Sequence, residues 1–385
     1  MEINSTLKTV RAKAALQSLF IGDALSMPVH WFYNPLDIQR AFPGGVTQME
    51  AAPDSHPSSI MSLHSTSSGG RKSAVDRKSS VARKSHGAVT KEIVGDVILR
   101  DKQQYWDVSN QHYHRGMQAG DNTLNACCAR LMIRGLTKSN GIYRKEWFLD
   151  DYIEFMTAEI PQHPDTYAES WHRGFFANRE NGLPLDQCGS VNHDTPSVGG
   201  LVTVLPLALK LLLSTSNSAE DIKQVCDTCR EHLMLTHPDD LLAKVCDSMV
   251  VLFSELLERD EDSDVLPLLE RASRCIPGVS LNALWRKSPG DMQVVGGTYS
   301  TACYITDSWP SLLYLAGKYQ HSAEVAMLAN TNLGGENAHR GSVLGAIVSL
   351  IQAETSERLQ SQLLHKAEIE NEIDQLIAVH TDNEE

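Results

Sequence analysis

Nowhere in these 385 residues do about 18 apolar positions run together, so the sequence offers no segment able to cross a bilayer as a helix. No secretory apolar core opens the chain either, because Arg11 and Lys13 interrupt its first hydrophobic run. The expectation is a cytoplasmic protein without a membrane partner. Positive charge is also short: 34 Lys and Arg stand against 48 Asp and Glu, a net charge of −14. Phosphate backbones are drawn to clustered cations, so a general nucleic-acid binder is disfavoured. The chain has no Gly-x-Gly-x-x-Gly after a strand, no Walker loop and no Gly-x-Ser-x-Gly elbow, so nucleotide oxidoreductase, kinase and serine hydrolase readings lose support. Of the eight cysteines, Cys226 and Cys229 form a CxxC pair with no second pair at zinc-ribbon spacing. Reduced, buried thiols are the expectation.

Strand-like alternation is scarce, whereas apolar residues recur at helical spacing in runs of about 10–15 residues. Those runs are Leu7–Ile21, Leu124–Leu136, Trp147–Ala158, Val202–Leu213 and Ala219–Leu235, followed by Leu241–Leu257, Leu266–Cys275, Thr301–Ala316, Ala323–Asn330 and Val343–Ala353. With 42% hydrophobic residues the chain can bury a large core, and the pattern favours one helical unit over residues 1–354. Residues 55–91 differ in composition: Arg71-Lys-Ser, Arg77-Lys-Ser and Arg83-Lys-Ser repeat every six residues among Ser, Ala, Val and Gly. Too little apolar area lies there to offset the entropy of ordering, so a disordered basic insertion is expected. Residues 355–385 read as an acidic C-terminal helix or tail.

Four polar, glycine-containing segments each meet an apolar run. Gly22-Asp23 ends the first run and leads to His30, Trp31, Phe32 and Tyr33; Gly120-Asp121-Asn122-Thr123 opens the second. Asn192-His193-Asp194-Thr195-Pro196-Ser197-Val198-Gly199-Gly200 precedes a central run, and Asn332-Leu-Gly-Gly-Glu336-Asn337-Ala-His339-Arg-Gly341 precedes the last. A helix start exposes free N–H groups and the positive end of its dipole, which suits an anion or a metal-binding cluster. Four such ends converging would make one pocket.

In order and spacing these segments resemble the ADP-ribosylglycohydrolase superfamily, helical hydrolases that also include jellyfish crystallin J1. The resemblance covers roughly residues 10–352 and implies an all-α fold, a single compact domain of orthogonal helices. It also implies a small-molecule or ADP-ribosylated substrate and a divalent metal, magnesium or manganese. In the family a Glu follows the early Asp by seven residues; here that place holds His30. Of the family's Thr-Asp-Asp-Thr, Asp121 and Thr123 match while Gly120 and Asn122 replace. Of its late Gly-Gly-Asp-Thr-Asp-Thr, Gly334 and Gly335 match, and Glu336, Asn337, Ala338 and His339 replace the rest. In the central loop Val198 and Thr203 stand where the family has Asn and Arg.

Two hard cations need several carboxylates to balance about four positive charges, and the matching positions supply only Asp121 and Glu336. The His and carboxylate set suits one zinc, manganese or iron ion instead. On this reading Asp121, Glu336 and His30 form the core of the site, with Asn122, Thr123, Asn337 and His339 as further ligands or orienting groups. His30 acts as general base beside Asp23 or Asp121, its ordinary pKa of about 6.5 suiting neutral pH. Gly199 and Gly200 let the backbone approach a ligand, with Ser197, His193, Asp194 and His237 on the substrate side. The function implied is hydrolysis of an N- or O-glycosidic bond to ribose. The alternative is an inactive crystallin-like scaffold or a ligand-binding protein.

Overall fold

Two glycines set how the first and last long helices meet. In a computed structural model describing residues 2–63 and 92–379, the Glu2–Ser26 helix and the Asn337–Gln352 helix pack antiparallel with their backbones in contact. A Cβ on Gly22 would lie 2.3 Å from the carbonyl oxygen of Gly341, and one on Gly345 would lie 2.7 Å from that of Ser18. No side chain fits there, which is why glycine stands at these positions. The Ser18 and Ser349 hydroxyls, 2.7 Å apart, close the same seam. Because the helices are antiparallel, the C-terminal end of the first and the N-terminal end of the last lie together. His30, one short 3-10 turn (Met27–Val29) beyond the first helix, thereby meets Glu336 and His339 at the start of the last.

The Leu124–Lys138, Gly199–Leu213, Asp240–Glu258, Ile305–Lys318 and Ala323–Leu333 helices pack around this pair. The last helix is consequently buried on nearly every face, Asn337 to Ile351 without a break, and the first is buried over most of residues 11–26. Among the described residues the backbone forms helices and isolated bridges but no strand, as the all-α reading expected. Each of the ten apolar runs seeds a helix, although the Ile305–Lys318 helix begins four residues after its run, and Pro206 and Pro310 sit inside helices. None of the described helices is long and apolar enough to cross a membrane. All eight cysteines are free thiols.

The start of the basic insertion belongs to the packed structure. Ser55 bridges to Gln111, the Ile60 N–H donates to the Tyr113 hydroxyl at 3.0 Å, and Met61 is buried. The Arg-Lys-Ser repeats lie outside the described residues. Within the acidic C-terminal stretch the Lys366–Ala378 helix buries Ile369, Ile373 and Leu376 against the first helix and the Leu124–Lys138 helix. The chain leading to it closes over the Gly120 turn, where Leu364 donates to the Gly120 carbonyl at 3.1 Å.

Candidate active site

The Gly334-Gly335 turn builds the floor of the site. Both residues have positive φ, +68° and +64°, and a Cβ on either would lie 2.1 Å from a backbone oxygen, of Phe32 and Thr301 respectively. Only glycine fits. Trp31 donates to the Gly335 carbonyl and Gly335 to that of Phe32, both at 2.8 Å, and Glu336 donates to Thr301 at 2.8 Å. This lacing holds Trp31 at φ +61°, a left-handed conformation that a bulky residue keeps only when its surroundings fix it. The Trp31 ring then stacks on His30 at 3.7 Å, and its indole N–H donates to Glu336 Oε2 at 2.5 Å.

Three buried donors converge here: one atom each of His30, Glu336 and His339, all within 4.8 Å of one another. His30 Nε2 is 3.1 Å from Glu336 Oε1, and His339 Nδ1 lies against the same oxygen yet has no aligned hydrogen-bond partner. One carboxylate oxygen between two ring nitrogens, one of them unsatisfied, fits a divalent transition ion; a pair of magnesium ions would need more oxygen ligands. Burial pushes the His30 ring down to about 3 against the pull of Glu336. For His339 burial acts the same way, but Glu336 and Glu169 outweigh it and raise the ring to about 9. Burial works to raise the Glu336 carboxyl, and the neighbouring His339 and His30 hold it well below the usual range instead.

Behind His30 stands a second row. His30 Nδ1 is 2.8 Å from His114 Nε2, and His114 Nδ1 is 2.8 Å from Asp165 Oδ1. Asp165 also accepts from the N–H groups of Leu124 and Tyr167, at 2.8 and 3.1 Å. Burial opposes its ionisation, but the His114 ring and those bonds bring it to about 2.

The cluster opens on a cleft of about 450 Å³ with Glu336 in its wall. Its other carboxylates are Glu169 and Asp194, and its rings are Trp31, Tyr33, Tyr113, Tyr167 and Tyr304. Glu169, just before the Ser170–Glu180 helix, is held by Asn125 Nδ2 at 2.7 Å and the Trp171 indole at 2.9 Å, with its Oε2 4.0 Å from His339 Nδ1. Burial, with the charge of Glu336 adding to it, raises the Glu169 carboxyl despite the opposing His339.

The structure gathers only part of the expected residues into this cluster. Asp23 is fully buried and its oxygens are taken by Asn122 Nδ2 (2.9 Å), the Thr123 N–H (2.7 Å) and the Thr123 hydroxyl (2.6 Å). Asp121 folds back on its own turn, accepting from the Gln118 N–H at 2.8 Å. Asn337 donates to the carbonyls of Thr331 and Val29, at 2.9 and 3.3 Å, which pins the turn. The room left by the missing Cβ atoms of Gly199 and Gly200 is taken by protein: Asn125, Glu169 and His339 lie within 3.2 Å of the first, and His237 is 2.9 Å from the second. His237 bonds Thr236 Oγ1 at 2.9 Å, and its Nε2 is buried without a partner. Ser197 forms a bridge to Tyr304. Asp194 does reach the cleft, paired with His193 at 3.0 Å and with the Ser170 hydroxyl at 2.9 Å. His112 bonds the Pro28 carbonyl at 3.1 Å, whereas its neighbour His114 enters the second row. Glu169 and Asp165 were not legible in the sequence. They lie in Asp165-Thr-Tyr-Ala-Glu-Ser-Trp, which carries no motif, ahead of a helix whose aromatic-rich sequence hides its periodicity.

The family model described as ADP-ribosylglycohydrolase matches residues 4–385. A solved structure titled "ADP-ribosylglycohydrolase-related protein complex" is similar in fold, with a TM-score of 0.57 at 16% identity over 97% of this chain and 98% of that one. Among curated proteins none matches the chain.

Proposed function

The chain belongs to the ADP-ribosylglycohydrolase family, and from that premise we propose that it hydrolyses an N- or O-glycosidic bond to ribose at a site rebuilt around one divalent ion. The observation that carries the reading is the buried His30, Glu336 and His339 group at the base of an aromatic cleft. These three residues would hold a zinc, manganese or iron ion, which supplies Lewis acidity to a water or a ribose hydroxyl. Trp31 fixes the second oxygen of Glu336, so the carboxylate keeps one orientation.

Glu169 supplies the proton. Burial and the charge of Glu336 shift its carboxyl toward the protonated form, beside the place where the glycosidic bond would lie. Water attacks C1′ of the ribose and the C1′ bond to nitrogen or oxygen breaks, its electron pair leaving with that atom. The leaving atom takes the Glu169 proton, and the proton lost by the attacking water restores Glu169.

A second reading rests on a different observation. Asn122 and Thr123, at positions where the family holds metal, both donate to Asp23. That arrangement favours a scaffold whose cleft binds a ligand without turnover. Metal analysis of the purified full chain, with hydrolysis of ribosylated substrates followed before and after chelation, decides between the two. About one ion per chain, lost in Glu336→Gln together with turnover, supports the hydrolase. No ion above the level of the variant, with no turnover, overturns it.

A further inference from the structure

The charged side chains that line the cleft among the described residues are of one sign. Glu169, Asp194 and Glu336 are carboxylates, and among the described lining residues there is no Lys or Arg. Phosphate groups are bound by such cations or by free backbone N–H groups at helix starts. Many of the N–H groups in the two loops that lead into helices beside the cleft are already used. Ser197, Val198, Gly200 and Leu201 donate to the carbonyls of Thr195, Cys303, Ser197 and Val198. Gly334, Gly335, Glu336 and Asn337 donate to those of Thr331, Phe32, Thr301 and Gly335. Arg340, next to this second loop, spends its guanidinium on Asn330 Oδ1 at 2.7 Å and the Gly334 carbonyl at 2.8 Å, and it does not line the cleft.

What the cleft does offer is acceptor oxygens and ring faces. Vicinal ribose hydroxyls are donors, matched by carboxylate acceptors. Tyr33 and Tyr304 are the more exposed rings of the lining, placed to cover a planar base, and π faces beside carboxylates favour neutral or cationic rings over anions. A diphosphate brought here meets three carboxylates and, among the described lining residues, neutral hydroxyls but no cation, so its charge loses hydration without adequate replacement.

We propose that the cleft selects phosphate-free ribosides of aromatic bases and discriminates against ADP-ribose and nucleotides. The inference rests on the reading that this cleft receives the ribosyl substrate. Titration calorimetry on the purified full chain, with adenosine, nicotinamide riboside, AMP and ADP-ribose as probes, tests it. Each riboside is expected to bind at least tenfold more tightly than AMP or ADP-ribose. Tyr304→Ala is expected to weaken riboside binding about tenfold, and Asp194→Asn to narrow the gap between adenosine and AMP. ADP-ribose binding as tightly as the ribosides, or no riboside binding, overturns the proposal. Ribosides that bind but are not hydrolysed would leave this specificity standing and count against the hydrolase; ADP-ribose bound tightly and cleaved would do the reverse.

Discussion

His114 joins His30 to Asp165 through its two ring nitrogens, with 2.8 Å on each side. Counting donors along this row constrains the protons. Asp165 is ionised, so His114 Nδ1 carries a hydrogen. A neutral His114 then accepts from His30 Nδ1, which leaves the lone pair of His30 Nε2 facing Glu336 Oε1 at 3.1 Å. Two acceptors at that distance repel unless a cation lies between them. The alternative is a second proton on the histidine pair. In both arrangements Asp165 and His114 determine which His30 nitrogen faces the cluster, the task of a carboxylate behind a metal-ligating histidine.

Asp165→Asn should therefore weaken binding of a transition ion about 10–100-fold, the usual effect of losing such an outer partner, while the three converging side chains remain. Competition titration of the purified protein with a chromophoric chelator and zinc or cobalt measures this. An affinity equal to that of the unaltered protein would remove Asp165 from the role.

The sequence revealed the helices and pointed to His30, Glu336 and His339 for a physical reason. Helical periodicity is local, so each apolar run seeded its helix, and glycine pairs before apolar runs marked the turns that carry Glu336 and His339. His30 was legible through the family resemblance, which sets a site residue seven positions after Asp23. What local patterns do not encode is which side chains a folded neighbour consumes. Asp23 and Asp121 read as site residues in sequence, but Thr123 and Asn122 donate to Asp23 across a contact that only the tertiary fold makes, and Asp121 accepts from Gln118 within its own turn. Glu169 gives no sequence signal, because its position depends on Gly199 being small enough to admit it, 30 residues later.

Gly22→Ala should destabilise the protein by about 1–3 kcal/mol, the usual cost of forcing a methyl group into a packed contact. The added carbon would lie 2.3 Å from the Gly341 carbonyl oxygen, and backbone at that distance must move. Because this seam also sets His30 against Glu336, metal affinity should fall with stability. Urea unfolding reads the first effect: the midpoint should drop with an unchanged slope. A midpoint equal to that of the parent would mean that the helices separate without cost.

Stability should fall as the pH is lowered below about 6.5. His163 and His232 are buried and held down to about 4 and about 3 by that burial. In the unfolded chain both titrate near 6.5, so between that pH and the folded value the unfolded state binds more protons and gains at the expense of the native one. Each such group adds about 1.4 kcal/mol per pH unit to the slope. His232→Gln should reduce the steepness of stability against pH between 6.5 and 4, whatever it does to stability at pH 7. A slope unchanged by the substitution would contradict the burial of a neutral ring between Tyr143 and Thr203.

Glu169→Gln separates catalysis from structure most directly. An amide can still accept from the Asn125 side chain and the Trp171 indole, so the fold should survive, and the His30, Glu336 and His339 cluster loses no ligand. What disappears is the proton for the leaving group. Turnover should fall about 10²–10⁴-fold, the range for a positioned general acid, with little change in metal content or in ligand affinity. The deficit should also depend on chemistry: a riboside whose leaving group departs without a proton, such as a cationic base, should lose far less than one whose leaving atom must be protonated. Equal losses for both classes would mean that Glu169 acts through the electrostatics of the cluster and not as an acid.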